Sequence, residues 1–333
     1  MILITTILVF ISYYLSSLNS VRLEYKVVFI FGFLFFGTAL RAIINPELNN
    51  DYYGYFDIHN FETPENFLTF IFSEPYLLIV FKFFSLFSTN KQIIFLEIYW
   101  FNFIITNVFF LWLATRKDIV LWKKILIFVF YYILFGFVLL RNGPVYMLFA
   151  CFFYYSFRNR NYIKILITPF MHMSAMALII LLFHKRKYYL KILFFVILGM
   201  IPIFIFFVMP ILSEVEAIKS SMSKVDSYSE ELESVSIFHK VGLLFTSIIV
   251  LIAIFVYRKK AMNPIFITTI LFYYITYLIN PIMGFRFSPY LFLSILLFNF
   301  EGSYSTRLVR NLNIMSFLLI PYFIFTLYNS HTL

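Results

Sequence analysis

The sequence predicts an all-α, polytopic integral membrane protein, and two observations carry that expectation. Of 333 residues, 62% are hydrophobic and only 13% charged, against about half and about a quarter in an average soluble domain. The apolar residues also fall into continuous blocks of roughly 15 to 25, the length a helix needs to cross about 30 Å of hydrocarbon. No water-soluble interior accommodates that much apolar surface. Spanning strands would alternate polar and apolar positions, and stretches such as 125–140 and 192–207 do not.

In chain order the blocks predict helices near 1–18, 26–44, 74–88, 92–114, 125–140, 144–157, 161–183, 192–211, 240–257, 264–283, 287–300 and 311–328. The first lacks a basic leader and a small-residue cleavage site, so it reads as a retained helix and not as a removed signal peptide. The 74–88 block is short and carries Lys82, and 161–183 is interrupted by Pro169 and His172; both read as short re-entrant or interfacial segments.

With those two held out, the positive-inside rule places most of the 26 basic residues on the cytoplasmic side, including Arg116, Lys117, Lys123, Lys124, Arg158, Arg160 and Lys164. Only Glu24, Asp118 and Glu301 of the 16 acidic residues join them. The resulting expectation is about 10 transmembrane helices plus the two partial elements, with both termini outside. No internal repeat or glycine-rich linker divides the chain, so residues 1–333 read as a single transmembrane domain with external loops at 45–73 and 212–239.

The net charge of +10 comes from short basic clusters between apolar blocks, a topology signal that does not point to nucleic acid. Cys151 is the only cysteine, which excludes an internal disulfide and a multi-cysteine metal site. The histidines have no metal-ligand spacing, and P-loop, dinucleotide, HExxH and nucleophile-elbow motifs are missing, so neither a metal nor a cofactor is expected.

Charged residues inside or at the ends of apolar blocks are the best functional clues, because burial of an unpaired charge is costly. Arg41 closes the second block, Arg141 lies in LLRNGP, and Arg286 lies in MGFRFSPY beside Tyr290. On the preferred topology these three, with Asp51 and Glu74, lie on the outer face. A guanidinium stays charged and presents a planar fork suited to phosphate oxygens; the alternative for each is a snorkelling helix-end anchor. Asp51 opens Asp51-Tyr52-Tyr53-Gly54-Tyr55, where a carboxylate among phenols suits proton abstraction from a sugar hydroxyl, or is simply a solvated loop acid among interfacial tyrosines. Glu74 precedes Pro75 and Tyr76 as a substrate contact or a helix-start acid. His172 in a proline-interrupted block serves as a proton shuttle or as a structural hydrogen bonder.

Taken in order, Asp51-Tyr52-x-x-Tyr55, Glu74-Pro75-Tyr76, Arg141, Arg158 with Arg160, Phe170-Met171-His172-Met173-Ser174-Ala175, and Arg286 with Tyr290 resemble the EpsG family of Wzy-type polysaccharide polymerases. The family usually has Arg-Gln where this chain has Arg141-Asn142, and Phe-His-x-Ser where it has Met171-His172-Met173-Ser174.

The resemblance implies a GT-C-like membrane glycosyltransferase, an O-antigen, capsular or exopolysaccharide polymerase of the bacterial inner (plasma) membrane with its active site extracytoplasmic. It would transfer a glycan carried on undecaprenyl diphosphate to a new lipid-linked repeat unit. Asp51, His172, Arg141 and Arg286 would be catalytic, and Arg41, Tyr52, Tyr55, Glu74, Tyr76 and Tyr290 would bind substrate. Its implied partners are the undecaprenyl-diphosphate-linked oligosaccharide, membrane lipid, and flippase and chain-length regulator proteins. Two other readings stay open: a lipid-linked oligosaccharide flippase or transporter, and a membrane O-acyltransferase acting on glycans.

Overall fold

The computed structural model describes residues 1–49, 52–53, 56, 75–159, 167–168, 237–257, 264–279, 281–297 and 306–329, and every element among them is helical. In chain order these are α1 (Ile2–Ser17), α2 (Leu23–Ile43), a 3-10 turn (Pro46–Leu48), α3 (Pro75–Phe84), α4 (Lys91–Thr115), α5 (Leu121–Ile133) running into a π-helical turn (Leu134–Val138), and α6 (Asn142–Asn159). After them come α7 (Ile237–Tyr257), α8 (Pro264–Ile279), α9 (Pro281–Leu297), α10 (Thr306–Met315), a 3-10 turn (Ser316–Leu319) and α11 (Ile320–Asn329).

Among the described residues, four stretches are long and apolar enough to cross a membrane: Leu23–Ile43, Lys91–Thr115, Leu121–Val138 and Thr306–Tyr328. At 1.5 Å per residue, α4 spans about 37 Å and α3 only about 15 Å. The chain divides into two compact units. Unit one comprises Met1–Glu62, Tyr76–Leu148 and Glu301–Leu333, and unit two Thr63–Pro75 and Phe149–Phe300.

Local chemistry sets several boundaries. The side chain of Asn90 accepts from the Gln92 amide at 2.9 Å and caps α4. Asn45 does the same for Glu47 at 3.1 Å, and Pro46 behind it disfavours continuation of α2. Between 264 and 300 the sequence suggests a division at 284–286, whereas in the structure α8 ends at Ile279 and α9 begins at Pro281. Pro281 suits the first turn of a helix, so Arg286 lies inside α9 and not between helices. Gly284 allows α8 and α9 to approach closely, since a Cβ there would meet the Tyr277 Cα at 2.6 Å.

In unit one, α1, α2, α4, α5 and α11 pack through aromatic rings. Tyr13 and Tyr132 stack on Phe128 at 3.9 and 4.7 Å, and Phe33, Phe110 and Phe323 pack edge-on or tilted around it. Lipid tails are as apolar as these side chains, so dense packing and not water exclusion holds the helices together. Ring pairs of this kind add about 0.5–1.5 kcal/mol each beyond area burial. Close approach matters too: a Cβ on Gly37 of α2 would meet the Tyr132 hydroxyl at 2.7 Å.

One end of unit one is strongly basic. The residues gathered there include Arg22, Lys26, Arg116, Lys117, Lys123 and Lys124, with Glu24 and Asp118. Sequence reading places Lys123 and Lys124 in a cytoplasmic connection, but both lie in the first turn of α5 and are buried. The reason is the carbonyl-rich ends of neighbouring helices. Lys124 Nζ donates to Ser17 O at 3.3 Å, Asn19 Oδ1 at 3.1 Å and Ala114 O at 3.0 Å, which accounts for all three of its protons. Ser17 ends α1 and Ala114 lies in the last turn of α4, so the ammonium also meets the negative ends of two helix dipoles. Lys26 adds a bond to Ala114 O at 3.4 Å, and Trp122 N donates to Asn313 Oδ1 at 3.0 Å.

Unit two is described through α7, α8, α9 and the last turns of α6. Short polar bonds cross between its helices: Thr269 Oγ1 meets Ser294 Oγ at 3.1 Å, and Tyr274 Oη donates to Ser247 Oγ at 2.9 Å. Tyr290 is buried, with Phe149 packed edge-on against it at 5.0 Å.

Replacing Lys124 by alanine removes the ammonium from Ser17 O and Asn19 Oδ1 and leaves Ala114 O with Lys26 alone, so Lys124→Ala is expected to destabilise the protein by about 2–5 kcal/mol. The exposed Lys117→Ala change should stay within about 0.5 kcal/mol. Thermal unfolding in detergent compares them; equal melting temperatures for the two variants would contradict the role assigned to Lys124.

Candidate functional site

The end of unit one opposite the lysines is organised around a break in a helix. Continuous α-helix stops at Ile133, a π turn closed by Leu139 N to Leu134 O at 2.8 Å follows, and Leu139 turns extended before Arg141 and the start of α6. A break of this kind frees backbone carbonyls, which in an apolar setting must find donors within the protein. Two asparagines supply them. Asn102 Nδ2 on α4 donates to Phe135 O at 2.6 Å and Leu139 O at 3.3 Å. Asn49 Nδ2, beyond α2, donates to Val138 O at 3.1 Å and Phe137 O at 3.5 Å and also lies 3.4 Å from the Tyr99 hydroxyl.

Against this break sits Arg41. It closes α2, is 2% exposed, and its guanidinium carbon lies 5.2 Å from the Tyr99 ring centre and 5.6 Å from that of Phe137. Its Nε, Nη1 and Nη2 are buried with no hydrogen-bond partner among the described residues. A snorkelling anchor would carry the head group to water, and Arg41 does not.

Tyr99 joins this cation to an aromatic cluster. Tyr52 stacks on Tyr99 at 5.9 Å and on Phe56 at 5.6 Å, and Phe95 meets both Tyr52 and Phe56 edge-on. Leu77, Val80, Ile94, Ile98 and Leu140 fill the same cluster, with Tyr76 and Phe81 at its margin. Lys91 Nζ donates to the Phe56 carbonyl and faces the Phe56 ring at 4.6 Å. The segment after α2 is thereby tied to the start of α4.

Several sequence-predicted residues come together here. Arg41, Tyr52 and Tyr76 belong to one neighbourhood, and Arg141 follows directly on Leu140 of the same cluster, half-buried at the start of α6. Arg286, half-buried, and Tyr290, buried, share α9 in unit two. Asp51, Tyr55, Glu74 and His172 lie outside the described residues.

Sequence reading overlooked Asn49, Tyr99, Asn102 and Glu97. Asn102 and Glu97 carried a usable signal, since a polar side chain in the middle of a 25-residue apolar helix has to be matched by something. Glu97 is half-buried, and its Oε2 has no hydrogen-bond partner among the described residues. Among those residues no group of three or more His, Cys, Asp or Glu side chains is placed to hold a metal ion.

Comparison with protein-family models, with curated proteins and with solved structures returned no match to this chain.

If the two asparagines hold the break open, Asn102→Leu strands two buried carbonyls and is expected to cost about 2–4 kcal/mol. A thermal melt identical to that of the unsubstituted protein would show that the break holds without them.

Proposed function

We propose that the chain is a polysaccharide polymerase of the bacterial plasma membrane. It transfers a growing glycan from undecaprenyl diphosphate onto the terminal sugar of a second lipid-linked repeat unit. The observation that supports this reading most is the buried Arg41 guanidinium beside an aromatic cluster and a helix break that leads into Arg141. Cations suit a diphosphate, and ring faces suit the apolar faces of sugars and the first isoprene units.

The two ends of unit one favour an orientation. The positive-inside rule assigns the lysine-rich end to the cytoplasm, which leaves Arg41, Tyr52 and Arg141 on the extracytoplasmic side. That is where lipid-linked repeat units are joined in the family the sequence resembles. The proposal counts about 10 crossings, with α3 and the 161–183 block as partial elements, in a GT-C-like arrangement.

The chemistry balances without a nucleotide. An acceptor hydroxyl oxygen attacks the anomeric carbon of the donor glycan, and the bond from that carbon to the diphosphate oxygen breaks. The hydroxyl proton goes to Asp51 or His172, and undecaprenyl diphosphate departs with the bonding electron pair. The sequence pattern assigns Arg141, Arg286 and Arg41 to diphosphate recognition, and guanidinium groups in that role stabilise the negative charge that grows on the leaving diphosphate in the transition state. Removing one such contact typically costs about 10²–10³ in turnover.

Arg141→Ala and Arg286→Ala are expected to remove the polymer ladder in a glycan gel, leaving single repeat units, while both variants remain inserted at normal abundance. Normal ladders from both would sink the proposal. Purified protein supplied with lipid-linked repeat units distinguishes the rivals, since longer lipid-linked glycan means polymerase, a change of leaflet means flippase, and a new ester means O-acyltransferase.

A further inference from the structure

We infer that Arg41 is a preformed receptor for a phosphoryl oxyanion, and that unit one carries the energetic cost of a buried cation with no hydrogen-bond partner among the described residues until that anion arrives. The anion site stands on geometry alone; only the identity of the lipid that delivers the phosphate rests on the polymerase reading.

The argument starts from what Arg41 does not use. A guanidinium has five N–H donors and does not lose its charge at accessible pH, so burial cannot be relieved by neutralisation. Arg41 is 2% exposed, and none of its nitrogens has a hydrogen-bond partner among the described residues. The rings of Tyr99 and Phe137 face its central carbon; they offset part of the desolvation through the ring quadrupole but accept none of its protons.

The backbone oxygens of the helix break have other donors. The amide nitrogens of Asn49 and Asn102 donate to the carbonyls of Phe135, Phe137, Val138 and Leu139. Matching those carbonyls with asparagines leaves the stronger donor uncommitted. Lys124, the buried cation at the other end of the same unit, has three acceptors for three protons. Among the described residues, unit one thus contains a saturated cation that serves as a staple and an unsaturated one.

The fork geometry selects the ligand. Guanidinium matches planar carboxylate and tetrahedral phosphate in bidentate fashion, and phosphate is the oxyanion that a lipid head group brings to the edge of an apolar bundle. Access requires a neighbour to move. Tyr52 is stacked on the Tyr99 wall and belongs to the segment that enters the external loop.

The test is thermal unfolding of the full chain in nanodiscs, for wild type, Arg41→Met and Arg41→Lys. Each is titrated with inorganic pyrophosphate, or reconstituted with undecaprenyl diphosphate or with phosphatidylglycerol in a zwitterionic bilayer. Wild type should melt higher as the anion is added, because a ligand that binds only the folded state stabilises it. Arg41→Met should melt no lower than wild type without anion, since an apolar side chain replaces an unpaired buried charge, and should show no response. Arg41→Lys keeps the charge without the fork, and should need at least about ten-fold more anion for the same shift.

A response to pyrophosphate identifies a site open to free anions. A response to the lipid diphosphate alone, or equally to phosphatidylglycerol, identifies a lipid-borne one. No wild-type response to any of the three, or a response of Arg41→Met equal to wild type, overturns the inference. Anion binding at Arg41 in a protein whose glycan ladders ignore Arg141→Ala and Arg286→Ala would keep the site and remove the polymerase; lost ladders with an inert Arg41 would do the reverse.

Discussion

The capture of backbone carbonyls at the break after Ile133 is the constraint from which the rest of unit one follows. In an apolar medium an interrupted helix survives only if every freed group is matched inside the protein. The donors come from Asn102 on α4 and Asn49 beyond α2, so three separate stretches of chain are fixed relative to one another by a few amide protons. The turn that results brings Phe137 over Arg41 and starts α6 at Asn142, immediately after Arg141. Interruptions of the π type recur at functional sites because they bend a helix without a proline and expose polar backbone that can be put to use.

The contrast between the two buried cations of unit one shows how identical charge serves opposite ends. Lys124 meets the carboxyl ends of α1 and α4, where the backbone offers unpaired carbonyls and negative dipole ends. Arg41 also sits at a helix carboxyl end, but the carbonyls beside it are held by asparagines. A buried cation is structural where acceptors are supplied and available for a ligand where they are withheld. Both are charged; only the hydrogen-bond inventory tells them apart.

Much of this arrangement was legible in the sequence, and the rest was illegible for physical reasons. The block at 92–114 anticipates α4 (Lys91–Thr115) within a residue at each end because hydropathy and the Asn90 cap are local signals. Arg41 was recognisable as a charge closing an apolar block, but whether it snorkels or is buried depends on Tyr99 and Phe137, far away in the chain. The π turn was invisible within an unbroken apolar run, since it depends on Asn102 being opposite. Lys124 looked like a loop charge because its acceptors lie 107, 105 and 10 residues away. The hairpin between α8 and α9 was misplaced for a different reason: Arg286 drew the boundary toward the charge, while the stronger local signal was Pro281.

An uncompensated guanidinium in an apolar bundle is tolerable only if the surrounding structure exceeds its cost, and the distribution of contacts in unit one suits that requirement. The dense aromatic packing around Phe128 runs through Tyr132 to Phe137, whose ring faces Arg41, while the saturated Lys124 junction lies at the other end of unit one. A site that must change its hydrogen-bonding when a ligand enters has to be the least satisfied part of the fold, because a fully matched pocket would gain nothing from binding. Concentrating satisfaction at one end and need at the other lets the ligand's charge complete the structure where the proposed chemistry takes place.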